Sequence, residues 1–322
     1  MKRDHAKISV VLSFLNEQDV LSEFLRRIRD VFSLLMKVNM VASYELIFVN
    51  DNSIDGSEKY LRSEVEKGDI VLVNMSRNFG VSECVMAGMK QASGDAVIYM
   101  DVDLQDPPEV IPQLVDAWRD DPEAEVVYTT RTHRAGEHWL KLFVTKIGYR
   151  FINAISEIDL QVDSGDFKLL SRKAVDYLLQ MKEDRPYLRG LVSWIGFKQV
   201  QVLYKRAERF DGRENTKMVV LSSKVVNYWL DRALISFSDA PLKIMLFLGI
   251  GLSILSLLYI FVVLTQKILG WVVPGWAAIM SAMLLLGGVQ MMMLGFIGLY
   301  VGAIFRETKN RPQYIIKEVI KK

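Results

Sequence analysis

The sequence predicts an α/β domain on a mainly parallel sheet, followed by two helices that cross a membrane. Three observations carry this. Residues 7–131 alternate short apolar runs with helical periodicity, the pattern of strands and helices stacked in layers. Polar residues follow those apolar runs, and open α/β sheets hold ligands outside the carboxyl ends of their strands. Late in the chain, residues 244–266 (23 residues) and 268–305 (38 residues) carry no charge.

Strands are expected at 8–14, 45–50, 70–74, 96–100 and 126–130. Between the first two, Val20, Leu21, Phe24, Leu25, Ile28, Phe32 and Leu35 form one helical stripe. Weaker helices are expected near 57–66, 81–92 and 108–119. After Arg131 the pattern changes. Trp139, Phe143, Ile147, Phe151 and Ile155 recur every four residues, on a helix that lies on a membrane surface or packs on the domain. Leu221, Val225, Trp229, Ala233 and Phe237 lead directly into a span and read as an interfacial amphipathic helix over 218–241.

A bilayer crossing needs about 20 apolar residues. The first uncharged run is one span, near 243–265. The second is too long for one span, and Pro274-Gly275 divides it, leaving a span at 276–304. A buried hairpin of a soluble protein is the alternative, but two uncharged runs are hard to cover with protein. The expected organisation is a soluble domain at 1–217, the interfacial helix, a transmembrane hairpin at 242–305 and a basic tail at 306–322.

The tail carries six basic residues and two acidic ones, so the positive-inside rule places it in the cytosol. Two spans put the N-terminal domain on the same side. The start of the chain lacks the pattern of a signal peptide, since its apolar stretch ends at Asn16-Glu17 without a cleavage-like site.

Composition excludes several classes. Before Ile244 there are 33 basic and 36 acidic residues, which argues against nucleic-acid binding through a basic face. The single cysteine, Cys84, excludes a disulfide framework and a cysteine metal cluster, and reads as a small core residue. No glycine-rich dinucleotide or P-loop motif is present, so the phosphates of a nucleotide ligand need another counter-charge, most simply a metal.

Asp101-Val102-Asp103-Leu104-Gln105 is the central candidate. In an extended segment alternate residues face the same way, so Asp101, Asp103 and Gln105 can offer three oxygens to one cation. Such hard oxygens suit Mg²⁺ or Mn²⁺, which also bind substrate phosphates. Glu64/Glu66 and Glu123/Glu125 share the acid-x-acid spacing and are read as solvated charges. Asp51, after a strand, is either a ligand contact or a helix cap.

The run MDVDLQDPPEVIPQLVDAW (100–118), with FVNDNSIDGS (48–57), SRNFG (76–80), SGDFKLLSR (164–172), KRAERFDGRENTK (205–217) and RPQYIIK (311–317), resembles the polyprenyl-phosphate glycosyltransferases. These are GT-A enzymes of glycosyltransferase family 2, and the resemblance extends to the membrane-anchored bactoprenol glucosyltransferases and, more distantly, to dolichyl-phosphate mannose synthase. It covers essentially the whole chain. It implies a Rossmann-like GT-A domain and inverting transfer of a hexose, glucose from UDP-glucose by resemblance, to a polyprenyl phosphate at the cytosolic face of a bacterial inner membrane.

By the same resemblance Glu17, Asp51, Asp101 and Arg131 are nucleotide-sugar contacts, and Asp101, Asp103 and Gln105 hold Mg²⁺ or Mn²⁺. Asp166 is a base or acceptor-orienting residue, and Arg206, Arg209 and Lys217 hold phosphates near the membrane. The implied partners are the UDP-sugar, the polyprenyl phosphate, the bilayer, a second copy of the chain, a flippase and a downstream glycosyltransferase. The chain departs from the family pattern at Ser13, Leu15 and Asn52, and Leu299 and Ala303 stand where relatives carry a Glu/Arg pair. Asn tolerates positive φ, so the Asn52 turn is expected to survive. A processive polysaccharide synthase is the rival enzyme, but its Arg-Trp acceptor motif is absent. A non-catalytic scaffold is the rival outside enzymes, and the retained Asp101, Asp103, Gln105 and Asp166 argue against it.

Overall fold

The computed structural model describes residues 3, 5–131, 164–207, 210, 212, 240–270 and 275–322. Its first half follows the expected alternation: β1 (Lys7–Phe14), α1 (Gln18–Lys37), β2 (Ser43–Asn50), α2 (Ser57–Glu64), β3 (Ile70–Met75), α3 (Val81–Gln91), β4 (Ala96–Asp101), α4 (Ile111–Asp120) and β5 (Val126–Arg131). All seven residues of the α1 stripe are buried, joined by Val31.

The sheet order is β7–β5–β6–β4–β1–β2–β3–β8, with β6 (Ser164–Ser171), β7 (Gln199–Tyr204) and β8 (Ile316–Ile320) added to the expected strands. Only β6 and β8 run against the rest, so the sheet is mixed and mostly parallel. Alternation along β1 divides the core. Ile8, Val10 and Leu12 pack with α1 and α4 on one face, and Val11 packs on the other. That second face is covered by α3 and by two helices that follow β6, α5 (Arg172–Leu178) and α6 (Leu188–Trp194). Cys84 is a fully buried member of this layer. Glu64 and Glu125, read as solvated charges, are instead ion-paired with Arg29 and Lys67, and with Arg3 and Lys173, because their side chains are only 12% and 15% exposed.

Two long apolar helices follow, α7 (Ala240–Ile268) and α8 (Trp276–Thr308). Their apolar windows, within Ile244–Gln266 and Leu285–Thr308, have mean hydropathies of 2.6 and 1.8 and are 0% buried against the chain. They do not form a buried hairpin. The expected amphipathic segments at 139–155 and 219–237 lie outside the described residues.

The tail does more than carry charge. Its strand β8 pairs antiparallel with β3, placing Glu318 opposite Asn74, and Arg62 bonds Glu318 at 2.8 Å. Upstream of β8, the Gln313 amide donates to the carbonyls of Met181 and Glu183 at 3.2 and 2.7 Å. The Asp184 N–H donates to Glu307 at 2.8 Å. The end of α8 is thereby tied to the loop between α5 and α6.

Two stability measurements check this packing. A Cβ added at Gly88 of α3 would lie 2.4 Å from Val11 Cγ1 and 3.0 Å from Val49 Cγ2. Gly88→Ala is therefore expected to destabilise by about 1–3 kcal/mol in denaturant unfolding. Glu183 has its carboxyl raised to about 7 by burial and by Glu307. A raised acid stabilises the folded state at low pH and loses that contribution as pH rises through the folded value. The melting temperature of Glu183→Gln should therefore gain on wild type as pH rises toward 7, then run parallel above it.

Candidate active site

The carboxyl ends of β1, β2 and β4 open onto one cleft of about 360 Å³, whose walls include Glu17, Asp51, Asp101 and Asp103. Two turns shape its rim. Asn16 and Asn52 both take positive φ, 57° and 66°, the conformation expected at Asn52. The Asn16 N–H donates to Ser53 Oγ at 3.0 Å, and its side-chain oxygen accepts from the Ile54 N–H at 2.8 Å. Asp51 accepts the N–H groups of Phe79 and Gly80 at 2.7 and 3.0 Å, so it holds the loop before α3 as well as lining the cleft.

The segment after β4 is a turn, not extended chain. Leu104 has φ of 60°, and Asp103 Oδ1 accepts the Gln105 N–H at 3.0 Å. Val102 and Leu104 sink into the core, leaving Asp101 and Asp103 on the cleft side. Gln105 is buried, with its carbonyl accepting from the Ala207 N–H at 2.9 Å. It lines neither this cleft nor the cavity beside it.

That cavity, of about 160 Å³, is bounded by Asp101, Asp166, Tyr99 and Arg189. Asp101 is therefore a wall common to both spaces. Arg189, on α6, forms a bidentate pair with Asp166, its Nε donating at 2.6 Å and its second nitrogen also bonded to the carboxylate. Lys168 is the next residue on the same face of β6 and is fully buried. Burial lowers its pKa to about 8 against the raising effect of Asp166. Burial alone would raise the Asp166 carboxyl, but the bonds and charge of Arg189, with Lys168 and Arg131, hold it below the usual range.

Arg206 meets a second acid, Asp106, and Arg131 reaches the same acid through Tyr204. Tyr204 Oη donates to buried Asp106, Arg131 Nε donates to Tyr204 Oη at 3.3 Å, and Arg206 Nε lies 3.5 Å from Asp106. Arg209 and Lys217 lie outside the described residues. Sequence reasoning missed Arg189, Lys168, Asp106 and Tyr204. For Lys168 a signal existed, a charge two residues from Asp166 on an apolar strand. For Arg189 there was none, since its partner is 23 residues away.

The acids around Asp101 repel one another. Its carboxyl is pushed up to about 7 by burial and by Asp166, Asp103 and Asp106, against the opposing charge of Arg206. Such a site gains from a cation. Among the described residues no group of three or more His, Cys, Asp or Glu is arranged around a metal position. Two carboxylates suit an ion such as Mg²⁺, which commonly completes its shell with water and substrate phosphates.

The profile of glycosyl transferase family 2 matches residues 9–179. An uncharacterized glycosyltransferase of Synechocystis is 40% identical over 97% of this chain and 95% of its own length. A prophage bactoprenol glucosyl transferase homolog of Escherichia coli is 35% identical over 98% of this chain and 100% of its own length. Among solved structures, a mannosyltransferase from Pyrobaculum calidifontis in complex with GDP-mannose and Mn²⁺ aligns with TM-score 0.49 and 16% identity, covering 95% of this chain and 87% of that one.

Asp103→Asn keeps the acceptor for the Gln105 N–H and removes one anionic oxygen. By calorimetric titration it is expected to bind Mn²⁺ roughly tenfold more weakly or worse, with its melting temperature in metal-free buffer close to that of wild type.

Proposed function

Because the chain belongs to glycosyl transferase family 2, we propose that it transfers a hexose, glucose from UDP-glucose, to a polyprenyl phosphate at the cytosolic face of a bacterial inner membrane. The product would be a lipid-linked sugar for cell-surface glycan. The chain is a GT-A glycosyltransferase, and the relatives named bactoprenol glucosyl transferase support the lipid acceptor. The observation that carries the reading is the return of the chain from α8 into the sheet as β8. It anchors the catalytic sheet to two helices apolar enough to span a bilayer, so that the site can meet a lipid that does not leave the membrane.

In the proposed reaction an oxygen of the acceptor phosphate attacks the anomeric carbon, forming a C1–O bond with inversion. The bond from C1 to the nucleoside diphosphate breaks, and its electron pair leaves with the diphosphate. Glu17 and Asp51 belong to the donor side, within the larger cleft. A divalent cation, Mg²⁺ or Mn²⁺, held by Asp101 and Asp103 would neutralise the diphosphate as it departs. Arg131 and Arg206 add positive charge from the Tyr204–Asp106 side, with Arg209 and Lys217 proposed as further phosphate contacts. Gln105 supports the Asp103 turn from behind.

Asp166 is proposed to orient the acceptor and the arginines, not to remove a proton. A phosphate monoester has a second pKa near 6, so the attacking oxygen is already largely anionic at neutral pH. Both oxygens of Asp166 are engaged by Arg189, an arrangement suited to fixing a guanidinium beside the acceptor. No interaction with a second copy, a flippase or a downstream transferase is needed for this step.

The direct test is incubation of purified full-length protein with radiolabelled UDP-glucose and polyprenyl phosphate. Organic-extractable label is expected, and a panel of UDP-sugars should favour glucose. Label only from another UDP-sugar overturns the donor assignment, and label in no case overturns the reading. Asp166→Asn should retain more activity than Asp166→Ala, with a rate that follows the acceptor's own titration between pH 6 and 7. Equal inactivity of both variants across pH 6 to 9, with substrate binding intact, would instead make Asp166 a general base.

A further inference from the structure

The chain leaves α8 through Arg306 and Lys309 and reaches Arg311 before it rejoins the sheet. These three line a cleft of about 630 Å³ with Arg77, from the loop between β3 and α3, and Arg185, from the loop between α5 and α6. Five cations thus converge from three distant stretches of chain, facing two carboxylates, Glu83 and Asp184. Asp184 is already shared, 3.9 Å from Arg185 and 3.7 Å from Arg306.

Arg77, Lys309 and Arg311 are exposed and make no ion pair among the described residues. Arg77 lies 4.1 Å over the Phe79 ring and Lys309 4.1 Å over the Phe305 ring. Such contacts steady the side chain; Arg77 Nη1 also donates to the Asn78 carbonyl at 3.3 Å, and its other N–H groups, like the Lys309 ammonium, can bind an anion. No residue of the Asp101–Asp166 cavity lines this cleft. The loop at 76–80 separates it from the donor side, where Asn78 and Gly80 line the other space.

The position of the cleft names its ligand. It sits where α8, whose apolar window lies within Leu285–Thr308 and is 0% buried in the chain, ends in Arg306 and Lys309. If α8 spans the bilayer, these side chains lie at headgroup depth, where anionic lipids attract cationic segments. The geometry points to a headgroup site: the cleft of Arg77, Arg185, Arg306, Lys309 and Arg311 binds the phosphate of an anionic phospholipid of the host bilayer, apart from the acceptor lipid. The inference rests on the membrane reading of α8. Its consequence is orientational, because a lipid held between α8 and two loops of the catalytic domain fixes that domain against the membrane surface.

The test uses full-length protein in detergent, titrated with phosphatidylglycerol or phosphatidylcholine and read by native mass spectrometry. Wild type should bind phosphatidylglycerol in preference. The pair Lys309→Gln with Arg311→Gln should bind it roughly 30-fold more weakly, and Arg77→Gln, from the opposite wall, roughly fivefold more weakly. Lys37→Gln with Lys90→Gln removes the same charge from exposed ends of α1 and α3 and should change nothing. Equal losses in the cleft and control variants, or no preference over phosphatidylcholine, overturn the inference. Displacement of the bound lipid by equimolar polyprenyl phosphate also overturns it, by making the cleft an acceptor site. Flotation of wild type with phosphatidylcholine vesicles separates the two readings. Failure to float sinks the membrane span itself, whereas flotation without preference for phosphatidylglycerol sinks only the headgroup site.

Discussion

Too many carboxylates gather at the end of β4, and the surrounding structure is organised to compensate for their charge. Asp101, Asp103, Asp106 and Asp166 are close enough to raise the Asp101 carboxyl to about 7 together with burial. Each of the outer acids has its own cation or donor. Arg189 grips Asp166, while Tyr204 and Arg206 meet Asp106. Asp101 and Asp103 are left facing the cleft. Like charges gathered in half-buried surroundings repel one another at a cost, and a cation at the mouth of the cleft would relieve the repulsion that falls on Asp101.

The same accounting explains why the acids come from different strands. Asp101 ends β4 and Asp166 lies on β6, which pairs antiparallel with β4. Reversing one strand in an otherwise parallel set brings Asp166 beside the carboxyl end of its neighbour. Lys168, two residues along the same face, then lies beneath the pair of Asp166 and Arg189, where its charge is only partly compensated and its pKa falls to about 8. A mixed sheet here is part of the chemistry of the site.

The C-terminal segment is tied to the catalytic domain by hydrogen bonds and by apolar packing of Tyr314, Ile316 and Ile320 on the core. The end of α8 bonds the loop at 181–184, and that loop leads into α6, which carries Arg189. On the opposite edge β8 extends the sheet beyond β3. A segment that looks from its composition like a solvated basic tail is therefore a structural strap. Its alternating burial, with Ile316, Glu318 and Ile320 partly covered, is too short and too mixed in charge to stand out as a strand.

The sequence by itself determined the elements whose signal is local. The α1 stripe, the five early strands and the two uncharged runs are periodic or contiguous, so a buried face or a helix apolar enough to span a bilayer can be read from spacing alone. The acids at strand ends were legible for the same reason, since a polar residue closing an apolar run marks the rim of the sheet. Tertiary structure alone decided which cation neutralises which acid. Arg189 finds Asp166 across 23 residues, Tyr204 finds Asp106 across 98, and Arg62 finds Glu318 across 256. A single charged residue has no period, and its partner is chosen by strand order and by the turn at Leu104, where burying two apolar side chains outweighed continued extension. Pairing at such separations depends on how the chain closes in space, and local spacing carries no record of that closure.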